Sequence, residues 1–448
     1  MDLKKLQQDA LLRMINLNQE ISDSEIIWKV LIYDKFGQDI ISPSLRLGDL
    51  RSSGITLHMS LASDRQPIPD VPAIYFLEPT AENVAVLSQD LKKQLYDSFY
   101  VNFTSTLPRA LLEDLAAQAV ASNSQQLISQ VYDQYLNYVC LEPQLFSLEI
   151  PRTYQILNSP TTPETVIEKL VDQIASSLFS VIVTLGNVPI IKCPKGNVAE
   201  AVAKKLDSKL RNNILNSRAS LFANQVHLTR PVLVLLDRDL DLTSLLTHTW
   251  TYSTLFHDLL DMKLNRVTFM ADEKGRQVEK KYDIDVTDPF WLKNAASPLP
   301  EVGVCIDEET KSYHEQVNRM GADATTSDPN DFSATTGSLA STMQKLPELR
   351  MRQKVLDMHT VAATSLLNSI MQRQLDSFIK MEESVGKLTT PAIIQVIKEE
   401  QKLPEDKLRL ALIYILSCEN ISNEDINKIE TALTETQAEV SSIKFIKK

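Results

Sequence analysis

Apolar residues in the N-terminal third form short unbroken runs that end in charge, and the runs are separated by segments with apolar residues at helical spacing. Runs without polar alternation are typical of strands that are buried on both faces of a parallel sheet. Strands alternating with helices indicate a doubly wound α/β domain. The pattern predicts strands at 28–34, 55–61, 73–79, 99–103 and 145–150, with helices at 1–25 and 80–95.

Two further segments carry apolar stripes and are predicted to be helices, at 111–121 and 125–138. Small Ala116 would leave space where the two stripes meet. One interpretation is ordinary core packing. The other is a shallow apolar groove that takes a peptide of a partner, anchored by one or two side chains. The stripe residues are Leu112, Leu115, Ala116 and Ala119 in the first segment, and Ile128, Val131, Tyr132 and Tyr135 in the second.

A second α/β unit is predicted to begin after Pro151. Its helices are expected at 161–179 and 198–215, with an edge strand at 188–192. The run 232–236 has five apolar residues and leads directly into charge, which predicts a central strand with both faces buried. A helix is predicted to follow at 242–264.

The charged turn after this strand contains Asp237, Arg238, Asp239 and Asp241, where open α/β sheets gather functional groups. Residues 239–243 fit D-x-D-x-T, the nucleophile loop of haloacid-dehalogenase-type phosphatases, which attack phosphorus with the first Asp and use Mg²⁺. However, a strand ending at residue 236 places Asp237 in the nucleophile's position, and that register loses the Thr. The alternative is an ion-paired turn in which Arg238 bonds neighbouring carboxylates.

Composition excludes several classes of function. A net charge of −12 gives no electrostatic footprint for nucleic acid. The chain has no run of eighteen apolar residues and no apolar leader, so we expect a soluble, non-secreted protein without direct membrane insertion. Four separated cysteines predict reduced thiols, and the six scattered histidines form no metal motif. Only ten glycines occur and none forms a nucleotide cradle. We therefore expect no cofactor and no metal.

Strand signals fade after Val267, and helical patterns dominate the remainder of the chain. Residues 321–336 are polar and are predicted to be mobile. Pro347 is expected to separate two helices, 337–346 and 350–385. Further helices are predicted at 408–417 and 421–438.

Several motifs in a fixed order resemble one family. The chain is similar to the SM proteins, cytosolic syntaxin-binding regulators of SNARE-driven vesicle fusion, and most similar to the Sly-type branch, which acts between endoplasmic reticulum and Golgi. The resemblance extends from about residue 25 to the C-terminus. It is carried by W-K-V-L-I-Y-D-K-F-G at 28–37, V-L-L-D-R at 234–238 with Asp241, E-D-K-L-R at 405–409, P-D-V-P-A-I-Y-F at 69–76 and Y-D-Q-Y-L at 132–136.

The resemblance implies an arch-shaped molecule with two doubly wound parallel-sheet α/β domains, at 1–150 and 151–267, and a mostly helical third domain at 268–448. It implies a projecting helical hairpin near 331–385 that binds SNARE helices, with Pro347 as its hinge. It places the syntaxin N-terminal peptide pocket on the two apolar segments described above, which favours the groove interpretation. The implied pocket residues are Leu112, Leu115, Ala116, Ile128 and Val131.

The same resemblance implies a non-catalytic, monomeric protein that is cytoplasmic and associates peripherally with ER and Golgi membranes through SNAREs. SM proteins normally continue beyond this C-terminus and return to complete the second domain's sheet, so we expect an exposed apolar edge there. The phosphatase at Asp237, Asp239 and Asp241 remains the alternative. It needs a later Lys and a second acidic pair on downstream strands, where the pattern predicts helices.

Overall fold

A computed structural model describes residues 2–18, 27–215, 221–222, 230–273, 276–284, 288–325, 332–399, 402–418 and 421–445. The chain forms two compact units, Met1–Leu240 and Asp241–Lys448. The finer division at 150 and 267 stays a prediction. None of the described helices combines the length and the hydropathy that crossing a bilayer requires.

The first unit begins with a five-stranded parallel sheet. Numbered along the chain, its strands lie in the order 2-1-3-4-5, so the strand order changes direction between the first and the third strand, as in a doubly wound α/β fold. The predicted α/β class is thereby confirmed. The strands are β1 (Lys29–Tyr33), β2 (Ile55–Ser60), β3 (Ala73–Leu77), β4 (Phe99–Phe103) and β5 (Ile128–Asp133), and the helices are α1 (Leu3–Ile15), α2 (Lys35–Ile41), α3 (Leu47–Ser52), α4 (Ala81–Lys93) and α5 (Arg109–Ala121).

The predicted helix at 125–138 is wrong. A 3-10 turn at Gln125–Leu127 leads directly into edge strand β5. The register with β4 shifts by one residue at Ser129, because Phe99 pairs with Ile128 whereas Tyr100 pairs with Gln130. This bulge places residues three apart on the same face of the strand, which imitates helical spacing.

One face of the sheet packs against α4 and α5. Val101 and Phe103 from the sheet, Leu87 from α4 and Leu115 from α5 are all buried in this core. Leu115 is 1% exposed. Helix α5 therefore packs one side, which carries Leu115, against the sheet, and its opposite side faces outward.

The remainder of the first unit contains a second, smaller sheet. Parallel strands β8 (Ile190–Lys192) and β9 (Val232–Val234) pair Ile191 with Leu233. Helices α7 (Glu164–Leu185) and α8 (Val198–Leu215) pack on the face that carries these two residues. The elements are β6 (Val139–Glu142), β7 (Leu145–Ser147), α6 (Thr153–Asn158), α7 (Glu164–Leu185), β8 (Ile190–Lys192), α8 (Val198–Leu215) and β9 (Val232–Val234); β6 and β7 are antiparallel.

The opposite face of β8 and β9 is not covered by any described element. Val232 is 53% exposed, Val234 is 56% exposed, and Ile190 is also exposed. The prediction of a central strand buried on both faces is therefore wrong for the described residues, and the second sheet has helices on one face only. Apolar surface is exposed on this sheet, as we expected, but along a face of β9 rather than only at an edge.

The second unit opens with short helices and an antiparallel sheet. The single helix predicted at 242–264 is replaced by α9 (Thr243–Leu246), α10 (Tyr252–Leu259) and strand β10 (Asp261–Lys263). Strands β11 (Arg266–Glu273) and β12 (Arg276–Asp283) follow, which contradicts the prediction that strands end near Val267. The buried residues Val267, Phe269 and Ala271 alternate along β11, but the charged sequence of β12 hides the pattern.

Helices form the remainder of this unit: α11 (Pro289–Asn294), α12 (Leu299–Thr325), α13 (Phe332–Arg373), α14 (Leu375–Glu383), α15 (Thr390–Lys398), α16 (Pro404–Ser417) and α17 (Asn423–Glu435). Helix α13 runs through Pro347, so the predicted break at this residue is wrong. The chain turns instead at Gln374, where φ is 53°. The segment predicted to be mobile is helical at 321–325 and 332–336, and 326–331 lie outside the described residues.

Candidate functional site

The first motif, at 28–37, builds a structural hub at the carboxyl end of β1. The buried Asp34 carboxylate accepts hydrogen bonds from the backbone N–H of Gly37, the backbone N–H of Glu78 and the side-chain amide of Asn83, each at 2.7 Å. A Cβ on Gly37 would lie 2.8 Å from the Phe76 carbonyl oxygen, which explains the glycine. Asp34 therefore uses its acceptors to join α2, β3 and α4 at the switch point of the sheet.

Glu78 lies beside this hub, and no hydrogen bond or ion pair of its carboxyl group is found among the described residues. Burial, followed by the charge of Asp34, raises the pKa of Glu78 to about 7. The carboxylate form is thus destabilised in the folded protein.

The charged turn after β9 has a structural arrangement. Asp237 accepts a hydrogen bond from the backbone N–H of Ala199 in the first turn of α8, at 3.2 Å. Asp239 accepts a hydrogen bond from the Tyr154 hydroxyl at 2.9 Å. In the second unit, Asp241 accepts bonds from the backbone N–H and hydroxyl of Ser244 at the start of α9, and these bonds lower its pKa.

These acids thus cap helices or bind a hydroxyl rather than converge on a phosphoryl group. No group of three or more metal-binding side chains in a suitable arrangement occurs in the described ranges. The phosphatase alternative finds no support in this geometry.

The motif at 405–409 fixes the start of α16 with buried charge. Asp406, 1% exposed, forms a two-point ion pair with Arg373 at the end of α13, with N–O distances of 2.5 and 3.0 Å. Arg409 donates two hydrogen bonds of 3.1 Å to Asp258 on α10 and also binds the Leu246 and Thr247 carbonyl oxygens. Through Asp406 and Arg409, this motif therefore anchors α16 to α9, α10 and α13.

The predicted pocket residues lie on α5 and on the neighbouring edge strand β5. Leu112 is 44% exposed, Ala116 is exposed, and both face outward one helical turn apart. Val131, 38% exposed, pairs with Val101, which belongs to the core under α5, so Val131 lies on the α5 face of the sheet. Ile128 is half-buried and packs against the same core.

Leu115 differs from the other predicted pocket residues because it is buried beneath α5 rather than exposed on it. A substitution such as Leu115→Lys would place a charge in the core and would destabilise the fold together with the surface. Leu115 supports the surface from below and is not a clean test of binding.

Sequence reasoning missed one residue of this surface. Val120, 61% exposed, continues the stripe of Leu112 and Ala116 by one further turn. The four-residue spacing of 112, 116 and 120 was visible in the sequence. We call Leu112, Ala116, Val120 and Val131 the α5–β5 surface, an exposed apolar strip with an unpaired strand edge beside it among the described residues.

The fold defines a class of protein first: a scaffold of α/β and helical units in which the motif residues have structural roles. The Sec1 family model matches residues 29–448. The "Protein sly1" of Schizosaccharomyces pombe is 42% identical over 460 residues, covering 100% of this chain and 72% of the relative. The "Sec1 family domain-containing protein 1" of Mus musculus is 42% identical over 482 residues, covering 99% and 75%.

Among solved structures, Sly1p in complex with an N-terminal peptide of Sed5p matches with a TM-score of 0.82 and 34% identity, over 99% of this chain and 73% of that chain. The SM protein Vps45 in complex with the Qa SNARE Tlg2 matches with a TM-score of 0.80 at 20% identity, over 97% and 75%, which supports the fold alone. The chain belongs to the Sec1 family. The resemblance seen in the sequence is thereby confirmed.

Proposed function

We propose that this protein is a non-catalytic SM-type regulator that binds an ER–Golgi syntaxin and SNARE helices, and so promotes SNARE assembly in transport between endoplasmic reticulum and Golgi. The observation that carries the proposal is the α5–β5 surface on a member of the Sec1 family. The solved relative Sly1p is described in complex with an N-terminal peptide of Sed5p. We assign the equivalent ligand here, the N-terminal peptide of a Golgi or ER syntaxin, to the α5–β5 surface.

An exposed apolar strip of this kind suits a peptide with one large apolar anchor. Leu112 and Val131 are both partly exposed, and the small side chain of Ala116, one helical turn after Leu112, leaves room for the anchor. Burying a Phe or Leu side chain contributes about 1.5–3 kcal/mol. This corresponds to about 10-fold to 150-fold in affinity.

The direct test measures binding of a fluorescent syntaxin N-terminal peptide by anisotropy. Ala116→Lys fills the space with a charged chain and should weaken binding about 10-fold or more without disturbing the core, because Ala116 is exposed. Ala117→Lys is the matched control, since it makes the same substitution at the next exposed position of α5, about 100° further around the helix axis. Equal affinity of both variants and the unchanged protein would remove the α5–β5 surface from the proposal.

The helical second unit supplies the other half of the proposed function. We assign SNARE-helix binding to α12 and α13, and the hinge to Pro347, which lacks the N–H that would bond the preceding turn of α13. The domains are proposed as 1–150, 151–267 and 268–448. The protein would act as a monomer in the cytoplasm, held at ER and Golgi membranes by SNAREs, without cofactor or catalytic step.

A further inference from the structure

Helices α12 and α13 meet in two different ways along their length. Near the start of α12 and the end of α13 the two helices share an apolar core: Val302 and Ile306 belong to the same buried cluster as Ala362 and Leu366. Farther along the pair, residues 309–316 of α12 and 347–354 of α13 are mostly polar or charged. Hydrogen bonds are directional, so bonds between these polar side chains add a constraint on the register of the two helices.

The guanidinium of Arg352 joins the two helices in the polar part. Arg352 donates to Glu309 Oε2 at 2.5 Å, to Gln316 Oε1 at 2.8 Å and to Ser312 Oγ at 3.3 Å. The three acceptors lie at positions i, i+3 and i+7, which form one face of α12 over two turns. Beside them, the Tyr313 hydroxyl donates to Gln353 Oε1 at 3.2 Å. We call this group the Arg352 clamp.

The Arg352 clamp lies close to Pro347, the point where α13 lacks a backbone hydrogen bond. Pro347 removes one backbone hydrogen bond from α13 only five residues before Arg352, which weakens the helix at that point. A clamp just beyond the weak point holds the following turns of α13 on α12. Bending would then be confined to the part of α13 that precedes Pro347.

We propose that Arg352 is a positioning residue, whose fork-shaped guanidinium fixes the register of α13 against α12 and so keeps one shape of the helix pair available to SNARE helices. The functional part of this inference rests on the proposed function; the clamp itself does not. Arginine is required because a lysine ammonium cannot hold acceptors on two turns in a fixed plane. Arg352→Lys should therefore lose part of the effect of the Arg352 clamp.

The clamp is tested by hydrogen exchange of the full chain, read by mass spectrometry over 303–318 and 348–358. Arg352→Glu and Glu309→Arg should each speed exchange in both segments about threefold or more, as expected for a partly exposed ion pair with added hydrogen bonds. The double swap Arg352→Glu/Glu309→Arg should restore most of the protection. Strands β1–β5 should not change.

The matched control is Lys311→Glu, which makes the same charge change at an exposed pair within α12, between Lys311 and Asp307. This variant should leave exchange across the two helices nearly unchanged. If Arg352→Glu resembles Lys311→Glu, or if the double swap shows no rescue, the clamp is refuted.

The proposed role in SNARE binding is tested by measuring the affinity for a syntaxin cytosolic fragment that lacks its N-terminal peptide, so that binding cannot use the α5–β5 surface. Its affinity should fall about threefold or more in Arg352→Glu and recover in the double swap, while N-terminal peptide affinity stays constant. If the unchanged protein does not bind this fragment, SNARE-helix binding by the second unit fails as a function. The exchange data then still decide the clamp.

Discussion

Glu78 provides a direct test of how a buried charge affects the stability of the first unit, because the surroundings of Glu78 destabilise its carboxylate form. Burial and the neighbouring Asp34 raise its pKa from 4.5 to about 7. A raised acid pKa means that the folded state holds the proton more tightly than the unfolded state does. Stability is therefore greatest while the group is protonated in both states, and it decreases as pH rises from about 4.5 through about 7.

The size of this effect follows from the shift. Each pKa unit corresponds to about 1.4 kcal/mol, so the full shift would cost about 3 kcal/mol at alkaline pH. Glu78 keeps part of its surface exposed, and solvent screening reduces the expected cost to about 1–2 kcal/mol. Glu78→Gln removes the charge and retains the hydrogen bond that the backbone N–H of residue 78 donates to Asp34.

The assay is urea unfolding at about pH 5 and about pH 8, with hydrogen exchange of β1 and β3 reporting on the first unit. Glu78→Gln should stabilise the unit by about 1–2 kcal/mol at the higher pH and have little effect at the lower pH. Glu113→Gln is the control, since Glu113 forms an exposed pair with Arg109. A gain of equal size at both pH values, or none at pH 8, would refute the reasoning about Glu78.

Three further predictions concern single residues. Arg373→Leu should destabilise the second unit by about 3–5 kcal/mol because it leaves buried Asp406 unpaired, and Arg373→Leu/Asp406→Leu should recover much of this loss in the same urea assay. Gly37→Ala should lower the stability of the first unit by about 1–3 kcal/mol, since its Cβ would meet the Phe76 carbonyl oxygen at 2.8 Å; an unchanged unfolding midpoint would contradict this. Pro347→Ala should restore the backbone hydrogen bond that the proposed hinge lacks, favour the extended helix α13 and increase SNARE binding in pull-down assays. Equal or weaker binding by the folded variant would argue against the hinge.

The sequence predicted β1, β3 and β4 well because these strands are buried on both faces, and burial leaves a continuous apolar run. It failed at β5, where a bulge at Ser129 imitates helical spacing, and at β12, where an exposed strand carries mostly charged residues. It also placed a helix break at Pro347, although one missing hydrogen bond does not outweigh the many other bonds of a long helix. In each case the local residue pattern was overridden by strand pairing or by the rest of the helix, and neither can be seen in the local pattern.

The motifs that identify the family and the surface proposed to bind are made of different residues, and this difference has a physical cause. Asp34, Asp237 and Asp406 fix joints between elements, where a side chain without an acceptor oxygen would leave buried or capping donors unsatisfied. Such positions suit few residue types, so they form recognisable motifs. The α5–β5 surface needs only apolar side chains of suitable size, which many sequences satisfy. The order of the motifs therefore identifies the scaffold, whereas the proposal of a binding surface depends on the exposed fractions of Leu112, Ala116 and Val131.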